Sequence, residues 1–277
     1  MKKIVLAFIA LGLGFGSFAQ TDSTKKEKAD TIKVGGVIII KKNTDKDTGK
    51  HHNKTYTITK DTRKKPSRLS TNWWILDLGF ANYNDNTNYA SAEAMQFAPG
   101  GTKDNFELRT GKSVNVNFWF FMQKLALIKR VVNLKYGLGL ELNNYRFENE
   151  TIRLQENPTI ITQDLTLKGI EKNKLAVDYI TVPLLLNFNL TPGKKSGFGF
   201  SAGVSGGYLY SARQKLKMNG EKNKFHDDFD LRKWKLAYIG ELNLGPIRLY
   251  GSYASRSMWE RGLDQTPYAI GIRLSHF

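Results

Sequence analysis

The sequence predicts an all-β protein: an eight-stranded antiparallel up-and-down transmembrane β-barrel preceded by a basic N-terminal periplasmic arm. Three observations predict it. Eight segments alternate bulky apolar residues with small or polar ones at a period of two, as strands with unlike faces do. The connections between these segments alternate short and long, like the periplasmic turns and outside loops of an outer-membrane barrel. An export signal opens the chain, and no later apolar run reaches the roughly 20 residues that a spanning helix needs.

The signal occupies residues 1–19. Lys2 and Lys3 precede an apolar run from Ile4 to Phe15, and Ser17-Phe18-Ala19 before Gln20 is a small-x-small ending that sets cleavage after Ala19. An exported chain whose membrane segments must be strands is expected in the outer membrane, with outer-membrane lipid around it. A mean hydropathy of −0.42 is compatible with that, because only alternate residues of each strand meet lipid. With no cysteine in 277 residues, disulfides, thiolate zinc sites and a cysteine-anchored lipid are all ruled out.

Residues 20–71 form the arm. Between Thr21 and Ser70, 14 Lys and Arg face 6 Asp and Glu, so this stretch holds +8 of the formal +17. Thr31–Val34, Val37–Ile40 and Lys54–Thr59 are candidate strands of a small β element, the first two joined at Gly35-Gly36. His51-His52 reads as solvated loop, since adjacent side chains on a strand diverge and make a poor metal site. No metal or cofactor is expected.

The barrel fills 72–277, with strands near 73–82, 112–123, 133–146, 175–190, 197–211, 233–244, 247–256 and 267–277. The stretch Tyr179–Leu190 shows the pattern best. Ile180, Val182, Leu184, Leu186, Phe188 and Leu190 point one way; Thr181, Pro183, Leu185, Asn187 and Asn189 point the other. The same outward phase carries Trp74, Leu76, Leu78 and Phe80 on the first strand, and Val114, Val116, Phe118, Phe120 and Met122 on the second. On the fifth strand the inward phase reads Ser201, Gly203, Ser205 and Gly207. The bulky set therefore faces lipid and the small, charged set faces the lumen.

An eight-stranded lumen is only wide enough for side chains to fill it. Asp77, Glu141 and Glu241 on the inner phase can be opposed by Lys135, Lys235, Arg248 and Arg273, and unpaired charges there would be costly. An internal ion-pair network is the expectation. Pro183 lacks an N–H in a barrel without edges, which predicts a bulge or bend there. Trp73, Trp74, Phe188, Phe198, Tyr210, Trp234 and Tyr268 fall near strand ends, where interface girdles sit.

Basic charge also marks the short turns through Lys124, Lys129, Arg130, Lys194 and Lys195. With the arm, they make a basic periplasmic face suited to headgroup phosphates or an acidic periplasmic partner. An exported chain seldom meets nucleic acid, so none is expected.

Enzymatic chemistry would need a base beside a nucleophile. His226 is the one histidine in the long loops, with Ser211, Ser255 and Ser257 as rim serines, but their spacing fixes no triad. His276 lies at the periplasmic end. Gly203-Val-Ser-Gly-Gly207 contains Gly-x-Ser-x-Gly, which in hydrolases sits on a strand-to-helix turn; no helix follows here. The reading is a non-enzymatic barrel for recognition, envelope maintenance or anchoring of a periplasmic partner. The alternatives are a narrow channel for small apolar molecules and a lipid-modifying enzyme at the outer leaflet.

Tyr179-Ile-Thr-Val-Pro-Leu-Leu-Leu-Asn-Phe188 resembles the Tyr-x-Glu-x-Pro-Leu-Leu-Leu-Lys-Tyr strand of PorT-like outer-membrane β-barrel proteins. Asn72–Phe80 and Gly271–Phe277 look like that group too. Thr181 and Asn187 stand where the family has glutamate and lysine, so any role of that pair is missing here. The resemblance implies an outer-membrane barrel in which Phe277 is the terminal aromatic read by the barrel-assembly machinery. PorT-like proteins proper are associated with a secretion and gliding apparatus, a role not carried over to this chain.

Overall fold

The computed structural model describes residues 30–34, 37–42, 55–60, 67–156, 158–192, 194 and 197–274. The signal, His51-His52, Lys195, His276 and Phe277 lie outside the described residues. The chain divides into two compact units, Met1–Pro66 and Ser67–Phe277. In the first, β1 (Asp30–Val34), β2 (Val37–Lys42) and β3 (Thr55–Lys60) form an antiparallel meander in the order β1-β2-β3.

The second unit is a closed ring of eight antiparallel strands. These are β4 (Leu69–Asp85), β5 (Val114–Ile128), β6 (Val132–Arg146), β9 (Lys172–Asn189), β10 (Phe198–Met218), β12 (Trp234–Leu244), β13 (Ile247–Ala254) and β14 (Gln265–Leu274). Each pairs with the next, β9 pairs with β10, and β14 pairs back onto β4 from Gln265↔Asp85 to Leu274↔Leu76. Three further strands belong to the long connections. β7 (Ile152–Gln155) and β8 (Ile160–Gln163) form a hairpin, and β11 (Glu221–His226) pairs with the far end of β10. Helix α1 (Ala92–Phe97) lies in the first long connection, where the Ser91 side chain accepts a hydrogen bond from the Ala94 N–H.

The alternation read from the sequence sets the two faces. Leu78, Phe80, Ile180, Val182, Leu184, Leu186, Leu242, Leu244, Ile270 and Ile272 are exposed on the outer wall, while Asp77, Asn115, Glu141, Thr181, Ser201 and Arg273 are buried inside. From Trp234 to Leu244 the outward set runs over eleven residues, ten steps or about 33 Å of strand. At the usual tilt of roughly 40° this spans about 25 Å, the height of a lipid-facing apolar band. Trp73, Trp74 and Phe198 are exposed at the short-turn end, and Tyr210, Trp234 and Tyr268 at the long-loop end.

Several details differ from the sequence reading. The strands extend past their expected ends, most of all β10, which runs 21 residues. Trp74 has φ 57°, and the β5–β6 register shifts between Trp119 and Phe121. That shift turns Met122, expected outside, into a fully buried inner residue (0% exposed). Pro183 makes no bulge: the β9–β10 register runs through Ser205↔Pro183. On its other side the β6 pairs stop at Tyr136↔Leu184 and resume in unchanged register at Gly139↔Thr181. The missing N–H thus interrupts the ladder without displacing the strand. The true shift in β10 comes later, between Leu209 and Ser211.

Gly203 shows why small residues line the inner phase of β10. A Cβ there would lie 2.0 Å from the Leu184 carbonyl oxygen and 2.6 Å from the Leu185 Cα. Gly203→Val is expected to lower stability by about 3 kcal/mol, the upper end of ordinary overpacking. Urea unfolding in detergent checks this, and an unchanged midpoint would contradict the close approach of β9 and β10.

Candidate functional site

The lumen holds a charged layer and an apolar cap, with a small apolar cluster of Ile75, Trp119, Met122 and Leu185 beside the charges. Nearer the short turns is a charged layer built on the inward phase of five strands. Arg273 on β14 donates from Nε and Nη2 to the two oxygens of Asp77 on β4, at 2.7 and 2.8 Å. Its Nη1 donates to Glu241 on β12, whose other oxygen takes Lys135 of β6. Ser201 Oγ also donates to Glu241, at 3.1 Å. A second centre pairs Lys235 with Glu141, which accepts from Asn143 Nδ2 at 3.1 Å as well. Three acids and three bases are therefore paired in two centres, and each of these charges has a partner where water is scarce.

Neutral donors complete the layer. Trp119 Nε1 donates to Asp77 Oδ2 at 2.7 Å, and Asn117 Nδ2 to the same oxygen at 3.3 Å. Tyr250 OH donates to Asn115 Oδ1 at 2.5 Å, and Asn115 Nδ2 donates to Asn143 Oδ1 at 2.9 Å. The void left among Asn117, Trp119, Glu141, Thr181 and Arg273 is about 30 Å³, enough for two or three waters at about 10–15 Å³ each. Trp119 escaped the sequence reading, although it continues the phase of Asn115 and Asn117.

Arg248 pairs in register with Asn243 and lines the short-turn mouth together with Lys124 and Lys194. Lys124 is not a turn residue as expected. Strand β5 continues to Ile128, and Lys124 sits opposite Lys135 in the β5–β6 ladder. Lys129 and Arg130 do form the turn, both at positive φ (41° and 61°). Arg130 Nη2 donates to the Ser67 carbonyl at 2.9 Å.

The second layer is apolar and comes from the long connections. Phe97, Phe106, Phe147, Ile152, Leu154, Ile161, Phe229, Leu231, Trp259 and Leu263 pack with Tyr83, Tyr145, Leu175 and Tyr179 of the strands in one buried cluster. Phe97 and Trp259 meet edge to face with ring centroids 5.5 Å apart. Buried polar groups tie the parts together: Gln214 of β10 accepts from the Leu154 N–H at 3.1 Å and donates to the Ile152 carbonyl at 2.8 Å. Trp259 Nε1 donates to Gln265 at 2.8 Å, and Gln265 donates to Asp85 at 2.9 Å. The Tyr89 hydroxyl also donates to Asp85, at 2.6 Å; burial, then this bond, raises its pKa. The Lys217 ammonium and the Gly220 N–H hold the Glu171 carboxyl below its usual range. All four long connections thus fold into a cap over the barrel mouth.

The histidine and serines singled out for chemistry stay apart. His226 on β11 pairs in register with Arg213 and makes no hydrogen bond to Ser211, Ser255 or Ser257. Ser211 Oγ accepts from Arg213 at 2.9 Å, and Ser257 Oγ donates to the Leu263 carbonyl at 2.8 Å. Ser205 of the Gly-x-Ser-x-Gly run is buried mid-strand, in register with Pro183. No group of three or more metal-binding side chains occurs among the described residues. Beside Pro267, where the β13–β14 pairs stop at Tyr253↔Tyr268, a cleft of about 320 Å³ opens between Tyr179, Trp234 and Ser257.

A closed ring with an apolar outer wall and a paired polar lumen is the architecture that spans an outer membrane. Residues 74–254 match the family model described as an outer membrane protein beta-barrel domain. The chain belongs to this family. In barrels of this class short turns face the periplasm and the longer connections the outside. The chain is also similar to a solved structure, the attachment invasion locus protein Ail of Yersinia pestis. The two are 10% identical with a TM-score of 0.30, over 74% of this chain and 98% of Ail. No curated protein matches the sequence.

Asp77→Asn leaves the buried Arg273 guanidinium short of one charge and is expected to cost about 3 kcal/mol. Joined to Arg273→Met, it should cost less than the sum of the two changes by at least ~1 kcal/mol. Urea titrations followed by tryptophan fluorescence give the cycle, and additive losses would contradict a coupled layer.

Proposed function

We propose that this outer-membrane barrel is a non-conducting, non-catalytic scaffold. Its cap presents a fixed recognition surface outside, and its basic arm engages an acidic partner or headgroups in the periplasm. The filled lumen carries the reading: a charge-paired layer and an apolar cap lie one above the other across it. The surplus of 14 basic over 6 acidic residues in 21–70 supports the periplasmic half, since juxtamembrane cations gain roughly 1 kcal/mol each against an anionic surface. Within the family, the proline strand Tyr179–Phe188 supports a kinship with the PorT-like barrels, without their Glu and Lys at positions 181 and 187.

The cleft beside Pro267 favours entry of a small apolar molecule as the second reading. It ends on the cap, and the void below is only about 30 Å³.

In planar bilayers the purified protein is expected to give no stepwise ionic current. Steady single-channel steps would overturn the scaffold reading. Deleting residues 21–66 should weaken binding of the protein to liposomes containing an anionic phospholipid; undiminished binding would remove the role given to the arm.

A further inference from the structure

Above the apolar belt, four strands continue outward as a blade: the ends of β6 and β10, the start of β9, and β11. Its registers place like charges side by side. Arg146, Lys174, Lys215 and Lys224 form one row straight across all four strands. One pair further out, Lys172, Lys217 and Lys222 form a second row, and Arg213 stands one pair nearer the belt. All lie on one face, because the residues between them, Asn173, Leu175, Gln214 and Leu216, are buried on the other.

Two of the eight cations on this face are ion-paired with carboxylates. Arg213 Nη1 pairs with Asp178 at 2.5 Å, and Lys217 pairs with Glu171. Lys172, Lys215, Lys222 and Lys224 form no ion pair with any described residue. Burial, with Lys172, Lys215 and Arg213 nearby, pushes the Lys174 ammonium down to about 8. Like charges directly opposite across strands oppose folding, so an anion is needed to offset them.

The direction of the face identifies the anion. On β9 the same phase that carries Lys172 and Lys174 carries Ile180, Val182, Leu184 and Leu186 lower down, so these cations project sideways over the lipid rather than up into solution. Counting from Asp178, Arg213 and the two rows stand about 5 to 15 Å above the belt at ~3.3 Å per residue and the usual strand tilt. A layer that deep, beyond the hydrocarbon, is that of a phosphorylated sugar headgroup. We infer that the blade is a binding site for the phosphates of an anionic glycolipid in the outer leaflet. The inference rests on the long connections being outside; it does not depend on what the cap recognises.

The test uses the full chain in nanodiscs of phosphatidylcholine with or without bisphosphorylated lipid A, comparing wild type with Lys174→Gln/Lys215→Gln/Lys224→Gln. A control carries Lys103→Gln/Lys112→Gln/Lys233→Gln. At roughly fivefold per surface cation, the central-row variant should retain lipid A about a hundredfold less tightly, and the control should match wild type. The two environments must also act oppositely on stability. The central-row variant should resist urea better than wild type in phosphatidylcholine, where repulsion is relieved, and worse with lipid A. Improved or equal resistance with lipid A, or equal loss in the control, would overturn the inference. So would equal wild-type affinity for soluble heparin in detergent, which would mark the face as a reader of polyanions in solution.

Discussion

Closure of the β14–β4 seam is the constraint from which the rest of the molecule follows. In hydrocarbon an unpaired backbone N–H or C=O has no water to turn to, so a sheet can cross only if its last strand finds its first. Ten consecutive pairs from Gln265↔Asp85 to Leu274↔Leu76 achieve that. Arg273 and Asp77 are themselves one of those pairs, so the seam is latched inside by a two-pronged ion pair as well as by backbone bonds.

Closing eight strands leaves a narrow interior, and the chain fills it by two different means. Where the barrel lies in the membrane, most inward side chains are polar and the charged ones pair, around a small apolar cluster of Ile75, Trp119, Met122 and Leu185. Where it rises above the membrane, the strands lengthen and their inner faces become apolar, which lets the connections pack as a soluble domain packs. The outer half is thus organised like a globular core and the inner half like a buried salt. Cation placement follows the same geometry: past the belt, the lipid-facing phase of β9 and β10 changes from Leu and Val to Lys and Arg.

The period-two pattern made the barrel legible, because every residue on a closed strand sees either lipid or lumen. It made Asp77, Lys135, Glu141, Lys235, Glu241 and Arg273 legible as an inner set for the same reason. The pattern failed where backbone irregularity resets the phase. Nothing local marks the shift at Trp119–Phe121, so Met122 and Lys124 were placed on the wrong side or in the wrong element. The cap was hidden for another reason. Phe97, Phe229 and Trp259 come from three connections and follow no period, and their convergence depends on which strands are neighbours. The cation rows were equally hidden, since Arg146, Lys174, Lys215 and Lys224 become neighbours only through register.

The absence of cysteine allows the central claim to be tested at single positions of β9. Cysteines at 180 to 187 would each carry an NBD label in reconstituted vesicles, with quenching by a nitroxide lipid as the readout. The account predicts strong quenching at 180, 182, 184 and 186 and weak quenching at 181, 183, 185 and 187. Uniform quenching, or the reverse alternation, would contradict a closed barrel with its bulky face in lipid.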